Sequence, residues 1–284
     1  MMFPTRRTLP AVISAALLAS LFAAAPARAE DTPTWTFPTS VSLVSDYIFR
    51  GQSQSWGKPA LQFSTEADHA SGAYAGFAAS TVSKHWLPGA TMETDFSGGY
   101  RNKIADTVGY DVGVVYYAYP GGNWKKSAFE GYNDPNSLNT AEAYLALSYQ
   151  WLTFKTGRTL TEYFGWSTNN SPVGGGFAGD STAGVTGSTR GSTFYELNAA
   201  YDVAEGWNVS GQIGRQKIKN ATGLDITYYK LGVTKALPAG FSVGVFYSGS
   251  SEPDAYKNFI SLKNASTDSD IARKTVFVSV AKAF

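Results

Sequence analysis

The sequence predicts an all-β chain, an antiparallel transmembrane β-barrel of about 12 strands and of the outer-membrane type. Three observations carry this. An export signal opens the chain, period-two alternation recurs in segments of about ten residues, and no stretch after the signal approaches the ~18–20 apolar residues of a membrane helix.

Arg6 and Arg7 precede an apolar run from Ala11 to Ala25, which Ala27-Arg28-Ala29 closes. Basic head, apolar middle and small-x-small site make residues 1–29 a cleaved signal peptide and leave 30–284 as the barrel. The paired arginines also fit a twin-arginine signal, although two arginines fill any ordinary basic head. Losing Arg6, Arg7 and Arg28 takes Lys+Arg from 23 to 20 against 22 Asp+Glu, a net charge of −2. That balance gives no basic surface for nucleic acid. The absence of cysteine excludes disulfides, cysteine-held metals and an N-terminal lipid anchor. Charged residues are sparse at 16%, below the ~25% usual in soluble domains, while 17 Tyr, 17 Phe and 7 Trp make the chain aromatic.

The strands follow in order. The first, about Trp35 to Phe49, puts Val41, Leu43, Tyr47 and Phe49 on one face, with Asp46 and Arg50 on the other. Leu61, Phe63, Thr65 and Ala67 then oppose Gln62, Ser64, Glu66 and Asp68; "GAYAGFAASTV" comes next. Met92, Thr94, Phe96 and Tyr100 oppose Glu93, Asp95 and Ser97, and Tyr110, Val112, Val114 and Tyr116 oppose Asp111 and Gly113. Ala143, Leu145, Leu147 and Tyr149 oppose Glu142, Tyr144 and Ser148. "LTFKTGRTLTEYF" follows, then Tyr195, Leu197, Ala199 and Tyr201 against Glu196, Asn198 and Asp202. "WNVSGQIGRQK", "ITYYKLGVTKAL", "FSVGVFYSGS" and "KTVFVSVAKAF" complete the set.

Lipid-facing positions must be apolar, whereas lumen-facing ones meet water and can be charged. Backbone groups at membrane depth must all pair, so the sheet has to close on itself. A soluble antiparallel sandwich also alternates. Three features weigh against it. Connections alternate long and short, which places every short turn at the periplasmic rim and every long loop outside. All seven tryptophans fall at strand ends or in loops, as indoles at the headgroup level would. The chain also ends in Phe284, a terminal aromatic of the kind the outer-membrane assembly machinery recognises, although Lys282 departs from that pattern.

"SDYIFRGQSQ" (45–54), "GAYAGFAAS" (72–80) and "GYDVGVVYYAYPGG" (109–122) resemble the signatures of the TorF-type family. Its members are proteobacterial outer-membrane proteins also grouped under the label Gcw_chp. The resemblance covers most of residues 30–284 and is weaker through the loop 165–192. It implies an outer-membrane barrel of porin type and brings no catalytic residue or substrate with it.

Parity assigns Asp46, Glu66, Glu93, Asp95, Asp111, Tyr117, Glu142, Lys155, Glu196 and Lys230 to the lumen, with Arg50 near its mouth. Tyr119 and Tyr144 also point inward. Arg158 lands on the lipid face by strict parity, but a bulge at Gly157 that turns it inward, into the lumen lining, is the physically favoured expectation. Such an acid-rich lining would favour cations. His69 and His85 have no evident partner, and Ser83 with His85 on one loop is no nucleophile–base signature. "GGGFAGD" reads as flexible loop rather than a phosphate cradle. No catalytic residue, metal or cofactor is expected. The leading expectation is a porin-like channel for passive diffusion of small polar solutes, weakly cation-preferring. The alternative is a non-conducting structural or adhesive barrel that binds a partner through its external loops.

Overall fold

The structure is a computed structural model that describes residues 34–129, 137–168, 170, 182–251 and 254–284. The signal segment and "GGGFAGD" lie outside the described residues. Twelve wall strands form. The first runs as Trp35–Thr36 and Thr39–Val44, followed by Ala60–His69, Ala73–Thr81, Met92–Ala105, Val108–Ala118 and Thr140–Tyr149. Leu152–Thr159, Thr193–Ala204, Trp207–Lys217, Ile226–Ala236, Phe241–Ser250 and Thr275–Ala283 are the seventh to twelfth. Each pairs antiparallel with its neighbour in sequence, and the twelfth pairs with the first, Ser279 opposite Val44 and Ala283 opposite Ser40. The sheet is therefore a closed ring with no edge to satisfy.

Pro38 has no N–H and interrupts the first strand, yet the register on both sides is the same: Thr36 opposite Asp68 and Thr39 opposite Thr65. The turns after His69, Ala105, Tyr149, Ala204 and Ala236 are short and share one rim. The long connections share the other. Outward-facing residues form an apolar wall that includes Leu43 (55% exposed), Leu145, Leu231, Val245 and Val278. Exposed apolar side chains in a continuous band suit a wall whose solvent is acyl chain.

Two strands end earlier than alternation predicts. The first stops at Val44, and the seventh at Thr159 rather than near Phe164. At the first, Ser45 closes the ladder, its N–H donating to Val278 O and its Oγ accepting from Val278 N. Asp46 then draws the chain out of the wall by accepting from Ser53 Oγ (2.5 Å) and Ser55 Oγ (2.8 Å). Tyr47 and Phe49 consequently do not meet lipid. Both turn into the barrel, Tyr47 almost wholly buried and Phe49 packed edge-on to Tyr117 and Phe164.

The tryptophans divide into two groups. Trp35, Trp151 and Trp207 are exposed at the short-turn rim, where a headgroup girdle belongs. Trp86, Trp124 and Trp166 are buried among the long loops with Leu87, Leu138, Tyr163, Tyr256 and Phe259, and Trp56 packs against them. Those four indoles hold an apolar cap over the outer mouth and do not sit at the headgroup level. Loop burial, invisible to period-two patterning, decides this.

Candidate functional site: the lumen and its first loop

The first loop folds into the barrel. Ile48–Phe49 pairs with Gln52–Ser53 around a two-residue turn, Arg50 and Gly51, whose φ angles of 47° and 78° are both positive. Primed hairpin turns need that geometry, and glycine adopts it without strain. Gly51 is required for a second reason: a Cβ there would stand 2.6 Å from Tyr228 Cβ on the tenth strand. The tip of the loop thus lies directly on the lumen wall.

Arg50, at that tip, crosses to the sixth strand. Nη1 and Nη2 donate to the two Glu142 carboxylate oxygens at 2.9 and 2.7 Å, and Nη1 also donates to Gln216 Oε1 at 2.7 Å. The guanidinium lies 3.9 Å over the Phe194 ring. Arg50 is 7% exposed and Glu142 1%. A buried, bidentate, stacked pair of this kind is specific to arginine. The other side of the loop is tied by Glu93, which accepts from Tyr47 Oη (2.5 Å) and Tyr119 Oη. At this level the loop and the side chains it meets narrow the lumen.

Toward the short-turn rim lies a second network. Arg101 Nη1 sits 2.8 Å from Glu66 Oε1 and 3.4 Å from Asp68 Oδ1, with its guanidinium 3.8 Å over the Tyr74 ring. Tyr74 Oη donates to Asp111 (2.7 Å) and meets Tyr144 Oη, and Lys155 Nζ lies 3.9 Å over the Tyr144 ring. Lys155 and Glu196 are direct cross-strand partners, and Tyr228 Oη donates to Glu196 (2.6 Å).

Glu66, Glu93, Asp95, Asp111, Tyr117, Glu142, Lys155, Glu196 and Lys230 lie on the inner side of the sheet. Two placements differ. Asp46 does not line the lumen; its carboxylate ties the first loop to itself through Ser53 and Ser55. Arg158 stays on the outer face near the outer rim, beside Gly191. The seventh strand runs through Gly157 with no shift against either neighbour, so no bulge turns Arg158 inward. At the strand's outer end its head is clear of the hydrocarbon, which removes the need for one.

Alternation does not assign Arg101, because the fourth strand reads as ending at Tyr100. It continues to Ala105, and the inward row Glu93, Asp95, Ser97, Gly99, Arg101 simply extends. Gln216, Asn198 and Gln212 carry no sequence signal beyond parity. His85 Nδ1 lies 2.7 Å from the fully buried Ser261 Oγ rather than from Ser83 Oγ, and its ring stacks on Trp56.

Among solved structures, the chain resembles one titled "KdgM porin" at TM-score 0.48 and 9% identity, covering 87% of this chain and 99% of that one. One titled "NanC porin structure in rhombohedral crystal form" gives 0.48 and 10%, over 88% and 99%. The Acinetobacter baumannii protein OccAB2 gives 0.38 and 12%, over 90% and 65%. No curated protein matches the chain. The profile of the family described as "Bacterial protein of unknown function (Gcw_chp)" matches residues 28–284, which span the whole barrel, and the chain belongs to that family.

Proposed function

We propose that the protein is an outer-membrane, porin-like channel for passive diffusion of small polar solutes, with the first loop's hairpin as its constriction. The observation that carries this is the contrast between the two faces of one closed sheet. The outer face is apolar, while the inner face holds Arg50, Arg101, Lys155 and Lys230 with Glu66, Asp68, Glu93, Asp95, Asp111, Glu142 and Glu196. A barrel serving only as a membrane anchor has no need of so many ionisable groups, each of which is tolerated only beside water or a partner.

Seven acids against four bases support a weak preference for cations. The "SDYIFRGQSQ" motif of the TorF-type resemblance coincides with the segment that narrows the lumen, in keeping with a channel role. Export through the signal peptide and recognition of the exposed Phe284 by the assembly machinery belong to the same reading.

Single-channel recording of the refolded chain in planar bilayers tests it. Small discrete steps are expected from the wild type, with larger ones from Arg50→Ala. Silence in both proteins would overturn the channel reading and leave a barrel that acts through its external loops. Reversal potentials showing anion preference in a salt gradient would overturn the cation preference alone.

A further inference from the structure

Just below the hairpin, toward the short-turn rim, lies a cavity of about 60 Å³, lined among others by Asp95, Tyr117, Lys155, Asn198, Gln212 and Lys230. Three of its lining residues hold a buried polar atom with no hydrogen-bond partner among the described residues: Asp95 Oδ1, Asn198 Nδ2 and Arg50 Nε. Asp95 is 8% exposed and Asn198 6%. Buried polar atoms are nearly always satisfied, and leaving one unmet costs more than a hydrogen bond gains. Three such atoms around one cavity mark a place built for something else to complete.

The chemistry of the two walls differs. Asp95, on the fourth strand, is an acceptor next to its register partner Tyr117. Asn198, Gln212 and Lys230 form one cross-strand row on the eighth, ninth and tenth strands, and Gln212 Nε2 donates to Asn198 Oδ1, which leaves the Asn198 amide N–H group pointing elsewhere. Lys230 makes no salt bridge among the described residues, and the opposite charge acting on it is that of Glu196, which also lines the cavity. The fourth and tenth strands are six apart in a ring of twelve, so the acid and the ammonium face each other across the lumen. A simple anion would satisfy the row and face Asp95 unfavourably; a simple cation would do the reverse.

We infer that this cavity is a binding site for a small zwitterion, its carboxylate taken by Asn198 and Lys230 and its ammonium by Asp95. The volume admits a solute of about five non-hydrogen atoms, the size of the smallest amino acid. The inference rests on the lumen being a solute path and names the class of solute that would pause there.

Titration calorimetry of the full folded chain in detergent micelles tests it, with glycine, acetate and methylammonium as probes. Glycine is expected to bind saturably and about tenfold or more tighter than either half-molecule. Asp95→Asn should weaken glycine about tenfold and leave acetate bound as well or tighter, since a like charge is removed, whereas Lys230→Met should weaken both. Heat-modifiable gel mobility identifies folded variants, and the three-probe comparison on the wild type stands even if neither variant folds. Glycine binding no tighter than acetate, or unaffected by Asp95→Asn in a folded barrel, would overturn the inference. The assay needs no current: channel steps without glycine binding defeat this inference alone, and glycine binding without steps defeats only the channel reading.

Discussion

Replacing Arg50 or Glu142 perturbs the barrel at the point where the first loop meets the wall. Both side chains are buried, and the pair shares two short hydrogen bonds. Removing one member strands the other's charge in a medium of low polarity, which costs about 3–5 kcal/mol. Arg50→Met leaves Glu142 without the cation that holds both of its carboxylate oxygens. Glu142→Met is expected at the lower end of that range, because Gln216 and the more distant Glu196, 3.9 Å from Nε, still face Arg50. Removing both strands no charge, so the double variant should lose only about 0–2 kcal/mol. The coupling between the two sites is then about 4 kcal/mol or more, by subtraction of the double cost from the summed single costs. Urea unfolding of the refolded chain in lipid vesicles, followed by tryptophan fluorescence, gives all three values. Single costs that add to within ~0.5 kcal/mol would refute the pair as the tie between loop and wall.

Gly51→Ala should destabilise the barrel by about 1–3 kcal/mol in the same assay, since the new Cβ meets Tyr228 Cβ at 2.6 Å on a backbone with φ +78°; an unchanged midpoint would contradict the seated hairpin. Val278→Arg, on the outer face of the twelfth strand, should cost about 2–4 kcal/mol, and a nitroxide placed there should respond to lipid-phase oxygen rather than to a water-soluble quencher. Glu162, in the loop after the seventh strand, accepts from Ser188 Oγ, Thr189 Oγ1 and the N–H groups of Thr189 and Arg190. Partial burial pushes its carboxyl up, but these hydrogen bonds outweigh that and hold it below the ordinary glutamate value. The clamp therefore contributes fully above the ordinary glutamate range and is lost only as pH falls through the lowered value. Carboxyl carbon shifts should titrate Glu162 below an ordinary glutamate, and Glu162→Gln should speed tryptic cleavage after the exposed Arg190. Titration at or above the ordinary value would show that the clamp is not formed.

Sequence alone determined the wall: twelve strands, their inward and outward faces, and the shared rim of the short turns. Those follow from the two media on either side of one pleated sheet, which impose a period of two on every strand and need no knowledge of neighbours. Even Arg101 was legible in principle, as one more step along the row from Glu93. Tertiary structure decided what the lumen holds. Tyr47 and Phe49 continue the first strand's alternation but lie inside, because Asp46 binds Ser53 and Ser55 and bends the chain away from its ladder. Whether Arg50 reaches Glu142, 92 residues on, depends on strand order, shear and a turn of two positive φ angles. The four loop tryptophans look like interface anchors until neighbouring loops bury them as a cap. Local pattern records which solvent a residue faces; contacts between distant segments arise only when the sheet closes and brings opposite walls within reach of each other.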